Sequence, residues 1–447
     1  MRFQLQSKAV SASRLGKLLV SDLSTDTPGC FLYTRYGSVP FLPPDVYECI
    51  RSLPNMAFVP MFYIAERKYV LKKFHRGLVS FCGLGPRAAM IFQTDPVDPA
   101  PICASDKCSV PVWATGGRIQ LSVEEYIECV LASLPSAFQA PVDNETALPV
   151  SKKAGRKRCG NSVIRTGRYM ELLLQEKQKN ANLAKIPIWV SLAGGNDLQW
   201  RLSAIKNMDF SVASGIILDG FFIPTSDERD DYGTGEELEN KTYVNRSHWF
   251  DLLPEICQQL PPHLPRFLAG VWQPRDIAIA TKLGIDLFDG SLPYRLTRSA
   301  IAWIYPGWSD YDNKHDAVYK SSNGRHSFLV FPLDEANITN STETPYTSPI
   351  QADCDCFACL RHTQGYISHL HVAKEMLGPM LLMIHNSHQY YRFFEDLRLA
   401  ASTDRLDDFI QFAQPMRFPC ELLAVDKTNE SKGVNDSTLD DATLNAS

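Results

Sequence analysis

The sequence predicts an α/β protein built on a (β/α)8 barrel of the TIM type, with a zinc-binding subdomain towards its C-terminal end. Three observations lead there. Short apolar runs rich in β-branched and aromatic residues recur along the chain, helix-period segments with readable ends lie between them, and Cys354, Cys356 and Cys359 fall in one short loop. Strand, helix and strand repeated from residue 57 to residue 290 imply a parallel sheet. Neither a G-x-G-x-x-G after an early strand nor a Walker A lysine loop occurs, so both nucleotide-binding signatures are missing and the barrel is favoured over a doubly wound sheet.

The expected strands are AFVPMFYI (57–64), LVSFCG (78–83), AAMIFQ (88–93), IPIWVSLAG (186–194), GIILDGFF (215–222), RFLAGVW (266–272), IDLFDG (285–290) and SFLVFPL (327–333). Runs of this length and composition suit strands buried on both faces. Three helices announce their ends. SVEEYIECVLASL opens with Ser122 and Glu125 as a capping box. NDLQWRLSAIKNM begins at Asn196, with positions 198, 202 and 205 on one stripe. QPRDIAIATKLG has Pro274 in its first turn and stops at Gly284.

Of the 447 residues 45% are hydrophobic and 21% charged, an ordinary globular composition. A net charge of -5 argues against a protein that coats nucleic acid in bulk, although a local basic face remains open. The N-terminus lacks the apolar core of a signal peptide, and no run of about 18 apolar residues occurs. Twelve cysteines are too sparse for a secreted disulfide scaffold, so a cytoplasmic protein without an integral membrane segment is expected. Residues 1–335 are assigned to the barrel core, with insertions near 141–160 and 225–245. Residues 336–425 are assigned to the zinc subdomain and closing helices, and 426–447 to a disordered tail. The basic stretch 151–168 reads as loop-like at its start, and 225–241 as an acidic surface loop.

Three thiolates in a C-x-C-x-x-C loop suit a tetrahedral zinc, which prefers sulfur and nitrogen ligands. A redox C-x-x-C is disfavoured because no thioredoxin-like pattern surrounds it. The fourth ligand must come from elsewhere, and His362, His369, His371, His385 and His388 all lie downstream. Spacing alone does not choose among them. They lie along two amphipathic helical stretches separated near Gly378-Pro379. Four protein ligands would leave no open position, which makes the zinc structural.

The spacing of 26 residues from Cys359 to His385, with Asn386 after it, resembles the zinc site of tRNA-guanine transglycosylases. SRLGKL (13–18), TRYGSVPFL (34–42), ATGGRIQLS (114–122), VSLAGGNDLQWRLSA (190–204), ASGIILDGF (213–221) and LGIDLFDGSLPYRLTR (283–298) are similar to segments of that family and follow its order. The resemblance implies a (β/α)8 barrel with one structural Zn2+ held by Cys354, Cys356, Cys359 and His385. It also implies exchange of the guanine at the tRNA wobble position, in which one aspartate attacks the ribose and a second transfers the proton.

Several positions depart from the family's pattern. Aligned in this way, Ala114 stands where catalytic members carry the general acid/base aspartate, and Ala193 replaces the glutamine that reads the base. Asp289 matches the nucleophile, Gly215 matches a substrate-contact glycine, and the other base-reading aspartate has no counterpart. Loss of a proton-transfer group costs about 10² to 10⁴ in rate. With the base-edge partners gone as well, Asp289 is expected to be non-functional as a nucleophile.

The sequence therefore resembles the degenerate, accessory members of the family's eukaryotic enzymes. Each pairs as a heterodimer with a catalytic subunit that exchanges guanine-34 for queuine in tRNAs with GUN anticodons (Asp, Asn, His, Tyr). Arg295 and Arg298 lie in a matching segment and are candidate tRNA contacts, as are Lys152, Lys153, Arg156, Lys157 and Arg158. The helix spanning 386–400 is expected to be shaped by the zinc for docking. The resemblance also raises a homodimer in isolation and peripheral association with the mitochondrial outer membrane. The competing readings are an active base-exchange enzyme using Asp289 and a queuine-binding salvage protein.

Overall fold

The computed structural model describes residues 1–8, 13–97, 105–114, 116–144, 153–221, 246–270, 273–308, 328–333 and 347–418. The expected acidic loop 225–241 and the tail 426–447 lie outside these residues, as does Lys152.

Nine parallel strand segments form one sheet: Gly29–Cys30, Leu32–Tyr33, Met56–Pro60, Ala88–Phe92, Ala137–Gln139, Ile188–Leu192, Ala213–Leu218, Arg266–Leu268 and Leu287–Phe288. The first two are separated only by Phe31, whose N–H donates to the Phe288 carbonyl at 3.0 Å. They are therefore one stave. It pairs with Leu287–Phe288 on one side and Met56–Pro60 on the other, which closes an eight-stave barrel. Gly290 is required at this seam, because a Cβ there would lie 2.0 Å from the Phe31 carbonyl oxygen.

Aromatic rings fill the interior. Phe58 stacks on Phe92 at 4.0 Å, and Phe31 and Phe267 pack against Phe92 at 5.3 and 4.7 Å. Arg2–Lys8, Arg14–Val20 and Leu23–Thr27 form a separate antiparallel sheet. It is tied to the barrel by Arg14, which donates to the Pro262 and Leu264 carbonyls and pairs with buried Asp286 at 3.3 Å.

Several expected elements are confirmed. The helix Val123–Ser133 has the full Ser122–Glu125 capping box, and Pro274–Lys282 carries its proline in the first turn. Leu198–Asn207 is capped by Asp197 rather than Asn196, since the Asp197 carboxylate accepts the Trp200 N–H. Other expectations are corrected. The expected strand 78–83 is instead the helix Gly77–Cys82 with Gly83 as its C-cap, because the adjacent staves Met56–Pro60 and Ala88–Phe92 pair directly and the chain between them must cross over. Phe328–Val330 is a strand, but it pairs antiparallel with Ile301–Trp303 outside the barrel. The basic stretch expected to start as a loop is the first part of a helix, Lys153–Lys179, whose buried stripe includes Gly155, Cys159, Ser162 and Tyr169.

Beyond the barrel come Phe357–Arg361, Gln364–Val372, Leu377–Ser402 and Leu406–Ala413. Pro379 does not break a helix. It sits in the first turn of Leu377–Ser402, where a missing N–H costs nothing. That helix buries His385 to Tyr391 without interruption.

Candidate metal centre and barrel mouth

Cys354, Cys356, Cys359 and His385 come together, with their ligand atoms all within 4.8 Å of one another. The two ends of the site arrive by different routes. The Cys356 side chain caps Phe357–Arg361 by accepting the Cys359 N–H at 3.4 Å, which folds the loop so that its sulfurs converge. His385 is delivered from the Leu377–Ser402 helix, with Nδ1 at 3.8, 3.5 and 3.4 Å from the sulfurs of Cys354, Cys356 and Cys359. A tetrahedral ion with bonds of about 2.3 Å to sulfur and 2.0 Å to nitrogen separates S and N by about 3.5 Å. The residues fit a metal.

The imidazole is oriented for that role. His385 Nε2 lies 2.8 Å from the Trp303 carbonyl, so it carries the proton and leaves the Nδ1 lone pair facing the sulfurs. The Cys356 thiol is drawn down to about 4 by hydrogen bonds from Cys354 and then Cys359, against the cost of burial. Cys359 is pushed up by its hydrogen bonds with Cys354 and then Cys356, with burial adding to them. Crowded thiols cannot all ionise on their own, and a cation is what lets them. The other histidines stand elsewhere. His371 Nδ1 is 2.9 Å from the Ile367 carbonyl, His388 is 3.0 Å from Asp355, His362 stacks on Tyr366, and His369 is exposed.

At the C-terminal ends of the staves, the face where barrels of this type place their sites, lies a cavity of about 60 Å³, room for about four waters. Its floor is Phe58, Phe92 and Phe267, and its polar rim includes Asp95, Gln139, Asn144 and Asp219. These rim groups satisfy one another. The Gln139 amide donates to Asp219 at 2.6 Å and to Ser191 at 3.0 Å, and Asn144 donates to the other Asp219 oxygen at 2.9 Å. Asp95 accepts from the Tyr33 hydroxyl at 2.8 Å and from the Val97 N–H at 2.9 Å. Sequence reasoning missed all four rim residues. Their only signal is one polar residue at or just past the end of an apolar run.

Asp289 does follow the last stave, but it does not line the cavity. It is 1% exposed. One oxygen accepts the Gly270 N–H at 2.6 Å and the other the Ser291 N–H at 3.0 Å, together with the Ser291 hydroxyl. Burial raises its pKa, against the hydrogen bonds from Ser291 and Gly270. Its environment is that of a clasp between two loops.

Three expected positions fall elsewhere. Ala114 pairs with Gly117 on an antiparallel hairpin, Ser109–Ala114 with Gly117–Ser122, outside the barrel sheet. An aspartate there would not stand at a stave end, and the acid that the Ala88–Phe92 stave does bring to the mouth is Asp95. Gly215 lies inside Ala213–Leu218 against the Trp189 indole, and the mouth glycine of that stave is Gly220. Arg295 is buried, with its guanidinium donating to the Val97 carbonyl at 3.3 Å, so it is not presented to a phosphate. Ala193 does sit at the end of its stave, fully buried. Arg298 is half-buried, Lys153, Arg156 and Lys157 are exposed at the start of their helix, and Arg158 pairs with buried Asp143.

The family model described as queuine tRNA-ribosyltransferase matches residues 9–417. The chain belongs to that family. Among curated relatives it is 29% identical over 414 residues to the queuine tRNA-ribosyltransferase accessory subunit 2 of Xenopus tropicalis, covering 88% of this chain and 94% of the relative. The Homo sapiens protein of the same name is 28% identical over 90% of this chain and 96% of its own length. That of Ixodes scapularis is 30% identical over 83% and 89%.

Within this family member, the helices around the candidate metal centre show an apolar outer surface. Leu360 and Val372 are each 66% exposed and Met376 is 78% exposed, with Phe357 and Tyr366 also open. The helix at 386–400, expected to dock, is largely buried within its own chain, with Glu395 and Leu399 exposed. No helix among the described residues is long and apolar enough to cross a membrane.

Proposed function

We propose that this chain is the non-catalytic accessory subunit of a queuine tRNA-ribosyltransferase. It would pair with the catalytic subunit that exchanges guanine-34 for queuine in tRNAs with GUN anticodons, and it would work in the cytoplasm. The observation that carries the reading is the state of the barrel mouth. Asp289, at the nucleophile position, does not line the cavity and is capped by Gly270 and Ser291, and Gln139, Asn144 and Asp219 of the rim bond to each other. A nucleophile needs a free oxygen beside the substrate. The relatives' names agree with this reading.

The buried Cys354, Cys356, Cys359 and His385 would hold one structural zinc, which supplies a crosslink and no open coordination position. These residues would fix Phe357–Arg361 and Gln364–Val372 against Leu377–Ser402, and so present Phe357, Leu360 and Tyr366 to the catalytic subunit. Arg298 and the exposed cations Lys153, Arg156 and Lys157 would contact the tRNA backbone, fixing its register without reading sequence. Arg298→Ala should lower the tRNA affinity of the heterodimer and make it less salt-dependent, while unchanged affinity across a salt series would remove Arg298 from this role.

A second reading, an active base-exchange enzyme, is favoured by one observation: Asp95 and Asp219 both stand at the cavity. Displacement of labelled guanine from a tRNA with a GUN anticodon decides between them. The purified chain, the catalytic subunit and the mixture are compared. Silence of this chain alone with activation of the mixture supports the accessory role. Turnover by this chain alone overturns it, whether or not Asp289→Asn abolishes that turnover.

A further inference from the structure

We propose that Gln389 is a positioning residue of the metal centre, tuning the Cys354 thiolate through an N–H···S hydrogen bond. The inference rests on the metal reading above. Gln389 lies one helical turn beyond His385 and is fully buried. Its Nε2 is 3.2 Å from the Cys354 sulfur and 3.1 Å from the Gln351 Oε1, which uses both amide protons. The orientation of the amide is not free. Arg392 Nη1 lies 3.4 Å from the Gln389 oxygen, so a flipped amide would set an N–H against a guanidinium and an oxygen against sulfur.

Gln351 is held in the same directed way. Its own Nε2 donates to the Tyr305 carbonyl at 2.8 Å and to Asp353 at 3.1 Å, which leaves its oxygen to receive Gln389. The result is a buried polar network satisfied at every step, running from the Tyr305 main chain to the Cys354 sulfur. Such networks hold one geometry because every alternative strands a buried donor. At a thiolate the donor also withdraws charge from sulfur. That relieves the repulsion among three thiolates, and outer partners of this kind change metal affinity by about 10 to 100-fold.

The test uses the full chain. Zinc affinity is measured by competition with a chromophoric chelator, and the sulfur-to-metal charge-transfer band is recorded after substitution with Co2+. Gln389→Met keeps the volume and removes the donor. It should weaken zinc at least about tenfold and move the band to lower energy, because sulfur lone pairs that lose a hydrogen bond lie higher. A merely structural role would not move the band. If Gln389→Met does not fold, Gln389→Glu removes the donor while keeping the Arg392 contact and should shift the band in the same direction. Wild-type affinity and an unmoved band in the variant that folds overturn the role of Gln389 and leave the metal reading standing. A wild-type chain that takes up neither zinc nor Co2+ overturns both.

Discussion

Replacing Asn386 with alanine should cost the protein about 3–5 kcal/mol, although the residue touches neither a ligand nor the surface. Asn386 is fully buried and uses its amide on both sides. Its Oδ1 accepts the Trp303 N–H at 2.9 Å, and its Nδ2 donates to the Ile301 carbonyl at 2.8 Å and the Thr297 hydroxyl at 3.0 Å. Alanine strips the Trp303 N–H of its partner, and an orphaned buried donor costs about 1–3 kcal/mol. The two lost donations add about 1 kcal/mol each. A second effect follows from Trp303 itself, whose carbonyl holds His385 Nε2. Loosening residue 303 from its N–H side should free the imidazole and weaken zinc as well. Urea unfolding of the metal-loaded chain measures the first effect, and chelator competition measures the second. Asn386→Asp is the informative control: it keeps the acceptor for Trp303 but turns an oxygen on the Ile301 carbonyl, and should be no better than alanine. A loss below about 1 kcal/mol with unchanged zinc affinity would refute the reasoning.

Cys356→Ser should abolish stoichiometric zinc and weaken pairing with the catalytic subunit, because folding of the metal loop is coupled to its ligand; zinc analysis and sedimentation of the mixture check both, and normal assembly would count against it. Leu360→Asp should leave the melting temperature nearly unchanged, as surface substitutions usually stay within about 0.5 kcal/mol, yet raise the dissociation constant of the heterodimer at least about tenfold; an unchanged constant would place the docking face elsewhere. Burial raises the Asp286 carboxyl to about 6, against the attraction of Arg14. The unfolded value is about 3.9, so this group's contribution is complete below about pH 4 and is lost as pH rises to about 6, by roughly 3 kcal/mol. Asp286→Asn should remove that dependence from the stability profile between pH 4 and 6, and parallel wild-type and variant profiles there would refute the assignment.

The parts of this fold that were readable in the sequence are those with local chemistry. Three sulfurs within six positions announce a metal loop by themselves, and long β-branched runs such as 188–192 announce buried staves. From the residues alone the fourth ligand was not readable, since five histidines competed; the family resemblance implied His385, and the packing of Leu377–Ser402 against the loop brings that histidine to the sulfurs. The staves at 29–33 and 137–139 went unseen because each contributes only two or three residues to a ladder at a stretch. Lys153–Lys179 was misread at its start because its buried stripe begins with small residues rather than large apolar ones. At Gly160 a Cβ would come within 2.6 Å of the Trp200 ring, so tight helix packing replaces hydrophobic bulk as the signal. The A-T-G-G of residues 114–117 misled in a different way, because a glycine turn looks the same whether it ends a barrel stave or, as here, a hairpin.

The fate of Asp289 connects the two halves of the chain. A carboxylate at the end of the last stave is costly to bury unless every lone pair has work. Here its side chain joins the loop after Arg266–Leu268, through Gly270, to the start of the helix Leu292–Arg298, through Ser291. Its main-chain carbonyl accepts the hydroxyl of buried Tyr390 at 2.9 Å, and Tyr390 stands on the same helix as His385 and Gln389. The residue that resembles a nucleophile is thus one point where the barrel is fastened to the helix that carries His385. Its side-chain hydrogen bonds give a physical reason for a buried aspartate at this position beside the mouth. It is held by what it fastens, the loop at Gly270 and the helix start at Ser291.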